Sequence, residues 1–375
     1  MITQNLIEWS NTTFYFYLLI PVSCFFLSKI SLPIYQNELV TNNIQKKSYL
    51  QIGILFAALI LILIKCVSIT GRDVQIGYQL DFNTANSLTT FRDPSIEIGF
   101  RILNVVIYHI YPNYDFFLFI VGLLTVFPVI YFIFKYRDYI NVSLAFFSYA
   151  TMFYIQGFSL IRIYLAASIS LFSMDAVIHN KNKTALLWLI IAISIHKTSF
   201  VLLFVYILYW SRKVNKTFVV SFVMLMIIII TMSRTFILSH FSGRYEIYAT
   251  QNSASAIGIT AFAEYVPLFI LWWYVKKECK TKYNDLIFYI LLIGFSCSIL
   301  SYSISIFGRL QALFISIIFI IGYYSKEIGH QSRLSQLLIN LIFIIYGLTQ
   351  LVIYISEYYN LDDIMPYVSY LGFYI

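Results

Sequence analysis

Ten apolar runs, each about 17 to 22 residues long and so long enough to span a bilayer, constrain this chain more than any other feature. They fall at 14–30, 50–68, 114–134, 140–158, 160–179, 217–236, 259–275, 284–303, 307–323 and 334–355. With a rise of about 1.5 Å per residue, such a run crosses a hydrocarbon layer about 30 Å thick. No water reaches that depth to satisfy backbone polar groups, so each run must be helical. A soluble core could not absorb them, because 60% of the 375 residues are hydrophobic and only 11% are charged, against about 25% charged in an ordinary soluble domain. The fold class is therefore all-α: a polytopic transmembrane helical protein of about ten crossings, with 1–375 forming a single integral membrane domain. The first run has no basic region before it and no small-residue cleavage site after it, which predicts a retained span. Cys24, Cys66, Cys279 and Cys297 are scattered without paired spacing, so neither a disulfide framework nor a zinc site is expected.

The net charge of +8 is spread over short clusters between the apolar runs. That is a topology signal and not a nucleic-acid stripe. Lys46 and Lys47, Lys135 and Arg137, Lys181 and Lys183, Arg212 with Lys213 and Lys216, the lysines at 276–282, and Lys326 with Arg333 mark the cytoplasmic side. They alternate correctly with ten crossings if Lys181 and Arg212 share a side. The segment between them then enters and returns as a re-entrant or bent hairpin with His196 near its apex; one long tilted helix is the competing reading. This arrangement places an outer loop at 69–96, a second outer loop at 237–258, a short outer turn at 304–308 and an extracytoplasmic C-terminal tail at 356–375. Gly71, Gly77, Asn83, Asn86, Asp93 and Pro94 predict irregular structure in the first loop.

The basic residues assigned to the outer side are Arg72, Arg92, Arg101, Arg162, Arg234, Arg244 and Arg309, and every one is arginine. Arginine placed against the topological bias points to bidentate binding of phosphate or carboxylate. Arg162 and Arg309 open apolar spans, where each charge costs about 2.5 to 3.5 kcal/mol on insertion scales; snorkelling to the interface is the alternative, strongest for Arg234. Asp73, Asp81, Asp93, Glu97 and Glu246 share that side. Glu97 opens an amphipathic segment with Arg101 four positions on, where a carboxylate can be held and tuned or can simply form an intrahelical pair. His196 and Lys197 form a polar island with Thr198 and Ser199 inside a long apolar run, which points to a hydrated cavity rather than a packing histidine. Tyr78, Tyr245 and Tyr248 in the outer loops are candidates for stacking on sugar rings.

Taken in order, these islands are Arg72 with Gly77-Tyr78 and Asp81, then Glu97-Ile98-Gly99-Phe100, then Arg162-Ile163-Tyr164-Leu165-Ala166-Ala167. Ala192 to Ser199, Gly243-Arg244-Tyr245 and Gly308-Arg309-Leu310 follow. The ordered set resembles the EpsG family of bacterial membrane proteins, related to the Wzy-type O-antigen and capsular polysaccharide repeat-unit polymerases, over roughly residues 50–325. The family's first-loop arginine, glycine and aspartate sit closer together than here, so either Asp73 or Asp81 is the equivalent acid.

The resemblance implies a glycosyltransferase in the bacterial cytoplasmic membrane with its active site facing the periplasm or cell exterior. Its substrates would be undecaprenyl-pyrophosphate-linked oligosaccharide repeat units, and a chain-length regulator and a flippase would be partners. No cofactor, metal or nucleic acid enters this reading. It casts Glu97 or His196 as the catalytic group acting on the acceptor hydroxyl, and Arg162, Arg244 and Arg309 as the clamp on the pyrophosphate. Arg72, Asp73, Asp81 and Tyr245 would complete substrate binding. A lipid-linked oligosaccharide flippase and an O-antigen ligase are the alternatives; a flippase is expected to distribute charge along a path through repeated halves.

Overall fold

The computed structural model describes residues 9–30, 32–34, 48–50, 52–85, 96–211, 214–239, 259–278, 283–304 and 306–375. It is a polytopic helical membrane protein. In chain order the helices are α1 (Asn11–Leu27), α2 (Ile52–Cys66), α3 (Gln79–Asn83), α4 (Ile98–Ile110), α5 (Tyr114–Lys135) and α6 (Val142–Tyr149). There follow α7 (Ile161–Ile178), α8 (Asn182–Ile195), α9 (Val201–Trp210), α10 (Lys216–Met232) and α11 (Arg234–Ser239). The last are α12 (Ile259–Glu278), α13 (Asn284–Ser301), α14 (Ile306–Arg309), α15 (Ile317–Gln331) and α16 (Arg333–Tyr358). One antiparallel strand pair, β1 (Leu32–Ile34) with β2 (Ser48–Leu50), joins α1 to α2.

Helical structure covers most of each of the ten apolar runs, but two expected single spans are broken: 140–158 passes from α6 into a π turn and a 3-10 turn, and 307–323 is divided among α14, a 3-10 turn and α15. Among the described residues, α5, α7, α13 and α16 are long and apolar enough to cross a membrane unaided, and the helical segments 306–314 and 317–331 reach that length only as a pair bent by 46°. Several starts follow from side-chain caps: Ser10 accepts from the Thr13 amide, Asn141 from Leu144, Asn215 from Thr217 and Ser332 from Ser335, each filling a donor that the first turn leaves open. Lipid-facing sides are legible from burial, since α10 buries only Val219 and Val223.

The first loop departs from expectation. Residues 72–83 are helical, with a widened π turn at Val74–Tyr78 running into α3. Val74, Tyr78 and Phe82 recur every four residues and are buried, and that stripe outweighs the turn-forming residues around it.

Contacts group the chain into two interleaved units. The first comprises Met1–Gly77, Leu118–Ser159 and Ile321–Ile375. Its C-terminal tail is bound tightly by hydrogen bonds. Tyr17 donates to the Ile364 carbonyl at 2.7 Å and Tyr367 to that of Ile64 at 2.8 Å. The amides of Ile69, Gly71 and Arg72 donate to the carbonyls of Val368, Asp363 and Asp362 at 2.9, 3.1 and 2.9 Å. Gly71 has φ +116°, and a Cβ there would lie 2.6 Å from the Phe158 carbonyl oxygen, so the position admits glycine only. The same unit contains a helix break, a π turn at Ala150–Tyr154 followed by a 3-10 turn at Gln156–Phe158. The buried ammonium of Lys65 donates to the Gly157 carbonyl at this break and lies 4.4 Å from the Phe158 ring centroid. A carbonyl freed in an apolar layer needs such a partner. Lys65 is thus a structural residue.

The second unit comprises Tyr78–Phe117 and Leu160–Ile320. Here α8 and α9 are separated by His196, which is extended (φ −147°, ψ 112°), and by a 3-10 turn at Lys197–Phe200. A single long helix through this region is excluded. The 14 residues of α8 rise only about 21 Å, so the limb is too short to span the hydrocarbon layer.

In the tail, Asp363 has φ 49°. Burial pushes its carboxyl above the usual range; Arg72 pulls it back, and Asp362 and Asp73 push it further up. A raised folded-state value means that ionisation costs stability once the pH exceeds it, whereas no cost remains below the unfolded-state value of about 3.9. Asp363→Asn, which also suits the left-handed backbone, is expected to raise the melting temperature in detergent at pH 7. The gain should vanish below about pH 4; an equal gain at both pH values would contradict the assignment.

Candidate functional site

The second unit brings together three of the residues singled out from sequence. Glu97 occupies the N-cap position of α4 but its side chain does not cap that helix. Instead, Oε2 accepts from Arg162 Nη1 at 2.8 Å, and Oε1 accepts from the Lys197 backbone amide at 3.5 Å. The side chains of Arg162 and Glu97 are 15% and 10% exposed. The Glu97 carboxylate therefore pairs with a residue 65 positions away, while the Arg101 backbone amide donates to the Glu97 carbonyl. Arg162 reaches this point because α7 begins at Ile161, directly after the chain leaves its helical break.

Two aromatic rings flank the guanidinium, with centroids 5.7 Å (Tyr78) and 5.9 Å (Phe100) away. These rings exclude water from the ion pair and strengthen it electrostatically. Tyr78 is 4% exposed and packs edge-on against Phe100 at 5.6 Å. It cannot stack on a sugar ring, which corrects the expectation for that tyrosine.

Gly99 sets the close approach of α4 to α8. A Cβ there would meet Ser194 Oγ at 2.3 Å and the Ser194 backbone at 2.8 Å. Any side chain would drive α4 away from α8 and carry Glu97 with it. At the break itself, Thr198 Oγ1 and His196 Nδ1 lie 2.6 Å apart. The imidazole is oriented by its own turn, leaving Nε2 for another partner.

Glu97, Arg162, Arg309 and Lys197 all act electrostatically on the His196 ring. The site thus gathers three cations and one carboxylate about an imidazole. Arg309 ends α14 and is exposed. Two residues on, Gln311 accepts from the Tyr265 hydroxyl at 2.5 Å and donates to the Gly294 carbonyl at 3.3 Å, which braces the turn that carries Arg309.

The remaining expected residues distribute differently. Asp81 is buried in the same unit and lies near the Tyr114 hydroxyl. Arg72 and Asp73 belong to the first unit, clustered with Asp362 and Asp363. Arg244 and Tyr245, with Tyr248 and most of loop 237–258, lie outside the described residues. Sequence reasoning missed Thr198 as the partner of His196, and Gln311. The signal for Gln311 was present: it is a lone amide inside an apolar span, two residues after a candidate arginine.

A buried pair is destabilising to break, since a lone charge remains in an apolar setting. In thermal unfolding of the purified protein, Arg162→Ala should therefore cost more stability alone than in a Glu97→Gln background, with a coupling energy of about 1–3 kcal/mol. Additive effects would show that the pair does not form.

A model of the EpsG family matches residues 49–369. No curated protein and no solved structure matches the chain. The match covers most of its length and includes Glu97, Arg162, His196 and Arg309: the chain belongs to the EpsG family.

Proposed function

We propose that this protein is a polysaccharide repeat-unit polymerase. It transfers a growing glycan from undecaprenyl pyrophosphate to the non-reducing end of an incoming lipid-linked unit, at the outer face of the bacterial cytoplasmic membrane. The observation that carries the reading is the Arg162, Lys197, Arg309 and Glu97 cluster about an oriented His196. Membership in the EpsG family supports the same class of reaction.

In this mechanism the acceptor hydroxyl attacks the anomeric carbon of the growing chain's terminal sugar. A new glycosidic C–O bond forms, the bond from that carbon to the phosphate oxygen breaks, and its electron pair leaves with the lipid pyrophosphate. His196 Nε2 takes the hydroxyl proton, for which Nδ1–H donating to Thr198 is the required tautomer. Negative charge grows on the pyrophosphate as the bond breaks. Arg162 and Arg309, with Arg244 from the second outer loop, stabilise it as a preorganised cationic clamp. Asp81, which shares the unit of Glu97 and His196, is favoured over Asp73 as the acid of the first loop. Tyr245 contacts the saccharide.

The test is deletion of the gene in its native strain, electrophoresis of the surface glycan, and complementation with wild-type, Arg162→Ala and Arg309→Ala proteins at matched membrane levels. The expected result is a glycan collapsed to a single repeat unit and restored to a ladder by wild type only. Each alanine variant should lose about 10²-fold or more of elongation, the scale of losing one group that stabilises developing charge. An unchanged ladder in the deletion strain contradicts the proposal. Loss of even the single unit would assign the protein to translocation, and finished polymer retained on its lipid would assign it to ligation.

A further inference from the structure

Glu97 is oddly placed for a residue that opens a helix. A carboxylate at an N-cap usually accepts from its own first turn, yet this one is turned to the guanidinium of Arg162 and to the first amide after the His196 break. Its two oxygens occupy two donors that would serve any bidentate anion, one from a side chain and one from the backbone. The helical limb that starts at that amide, Lys197–Trp210, is 14 residues long, and its N-terminal end adds partial positive charge at the same point. Lys197 and Arg309, like Arg162 and Glu97, act on the charge of His196. Carboxylate and phosphate are recognised by arginine with the same fork geometry, but phosphate brings more negative charge and more acceptor oxygens.

A cationic site of this kind has a difficulty when empty. A guanidinium buried without a counter-ion is costly in an apolar layer. A resident carboxylate removes that cost but also competes with any incoming anion. We propose that Arg162 and the Lys197 amide form the site for a phosphate of the leaving pyrophosphate, and that Glu97 is its resting occupant, displaced when lipid-linked pyrophosphate binds. This rests on the polymerase reading and assigns the two candidate catalytic groups different tasks. Glu97 is a positioning residue that keeps the empty arginine paired and in place, and His196 takes the acceptor proton. On this account the ion pair of the empty protein is exchanged on binding for a stronger pair with substrate.

The test uses full-length protein in nanodiscs of zwitterionic lipid, with inorganic pyrophosphate as the probe and calorimetric titration as the readout. Removing the competing carboxylate should tighten binding, so Glu97→Gln is expected to bind pyrophosphate about tenfold more tightly than wild type, whereas Arg162→Ala should lose binding. Glu97→Ala should behave like Glu97→Gln and replaces it if the glutamine variant fails to insert. Binding by Glu97→Gln that is equal to or weaker than wild type, or no binding by any form, overturns the resident-anion proposal. The polymerase reading is judged separately: it stands if the glycan ladder still depends on Arg162, and it falls if deletion of the gene leaves the ladder unchanged, whatever pyrophosphate does.

Discussion

A charge or an open backbone group inside a hydrocarbon layer must find a partner within the protein, and the Glu97–Arg162 ion pair is where this requirement shapes the molecule most. The pair ties the start of α4 to the start of α7. Through the Lys197 amide it also reaches the break between α8 and α9. The close approach at Gly99, the flanking rings of Tyr78 and Phe100 and the brace from Gln311 to Tyr265 each fix one of these elements where the pair needs it. The same rule explains Lys65 in the first unit, where a buried ammonium answers a carbonyl released by a helix break. There the partner is backbone; in the second unit it is a carboxylate.

Helix interruptions lie next to the candidate residues. Continuous helices satisfy their own backbone, whereas the breaks after Tyr149, at His196 and between α14 and α15 interrupt that ladder. Irregular backbone at membrane depth survives only where protein or a hydrated cavity surrounds it. Arg162 directly follows the first break, His196 forms the second, and Arg309 lies at the third. This coincidence links the fold to the proposed reaction, because a leaving pyrophosphate needs fixed cations at a place where the acceptor hydroxyl can also enter.

Much of this was legible from residue pattern. The apolar runs located the helices, since 3.6-residue periodicity is not needed when a segment is apolar on every side. The polar island at His196 marked the break, because a histidine–lysine pair has no reason to sit mid-run. What could not be read was pairing across sequence distance. Glu97 with Arg101 was the natural local pair, and only the tertiary fold brings Arg162 nearer. Turn-forming residues in 69–96 suggested irregular structure, but the buried Val74, Tyr78 and Phe82 stripe made part of that segment helical. The C-terminal tail gave no sign in sequence of its hydrogen bonds to 67–72, because those bonds are made by backbone groups that every residue carries.

The most direct test of the central claim is reconstitution of the purified protein in vesicles with a lipid-linked repeat unit and no other protein. The account predicts polymers of graded length, with one undecaprenyl pyrophosphate released for each linkage formed. Transfer of intact repeat units across the bilayer with no new linkage and no released lipid pyrophosphate would contradict it.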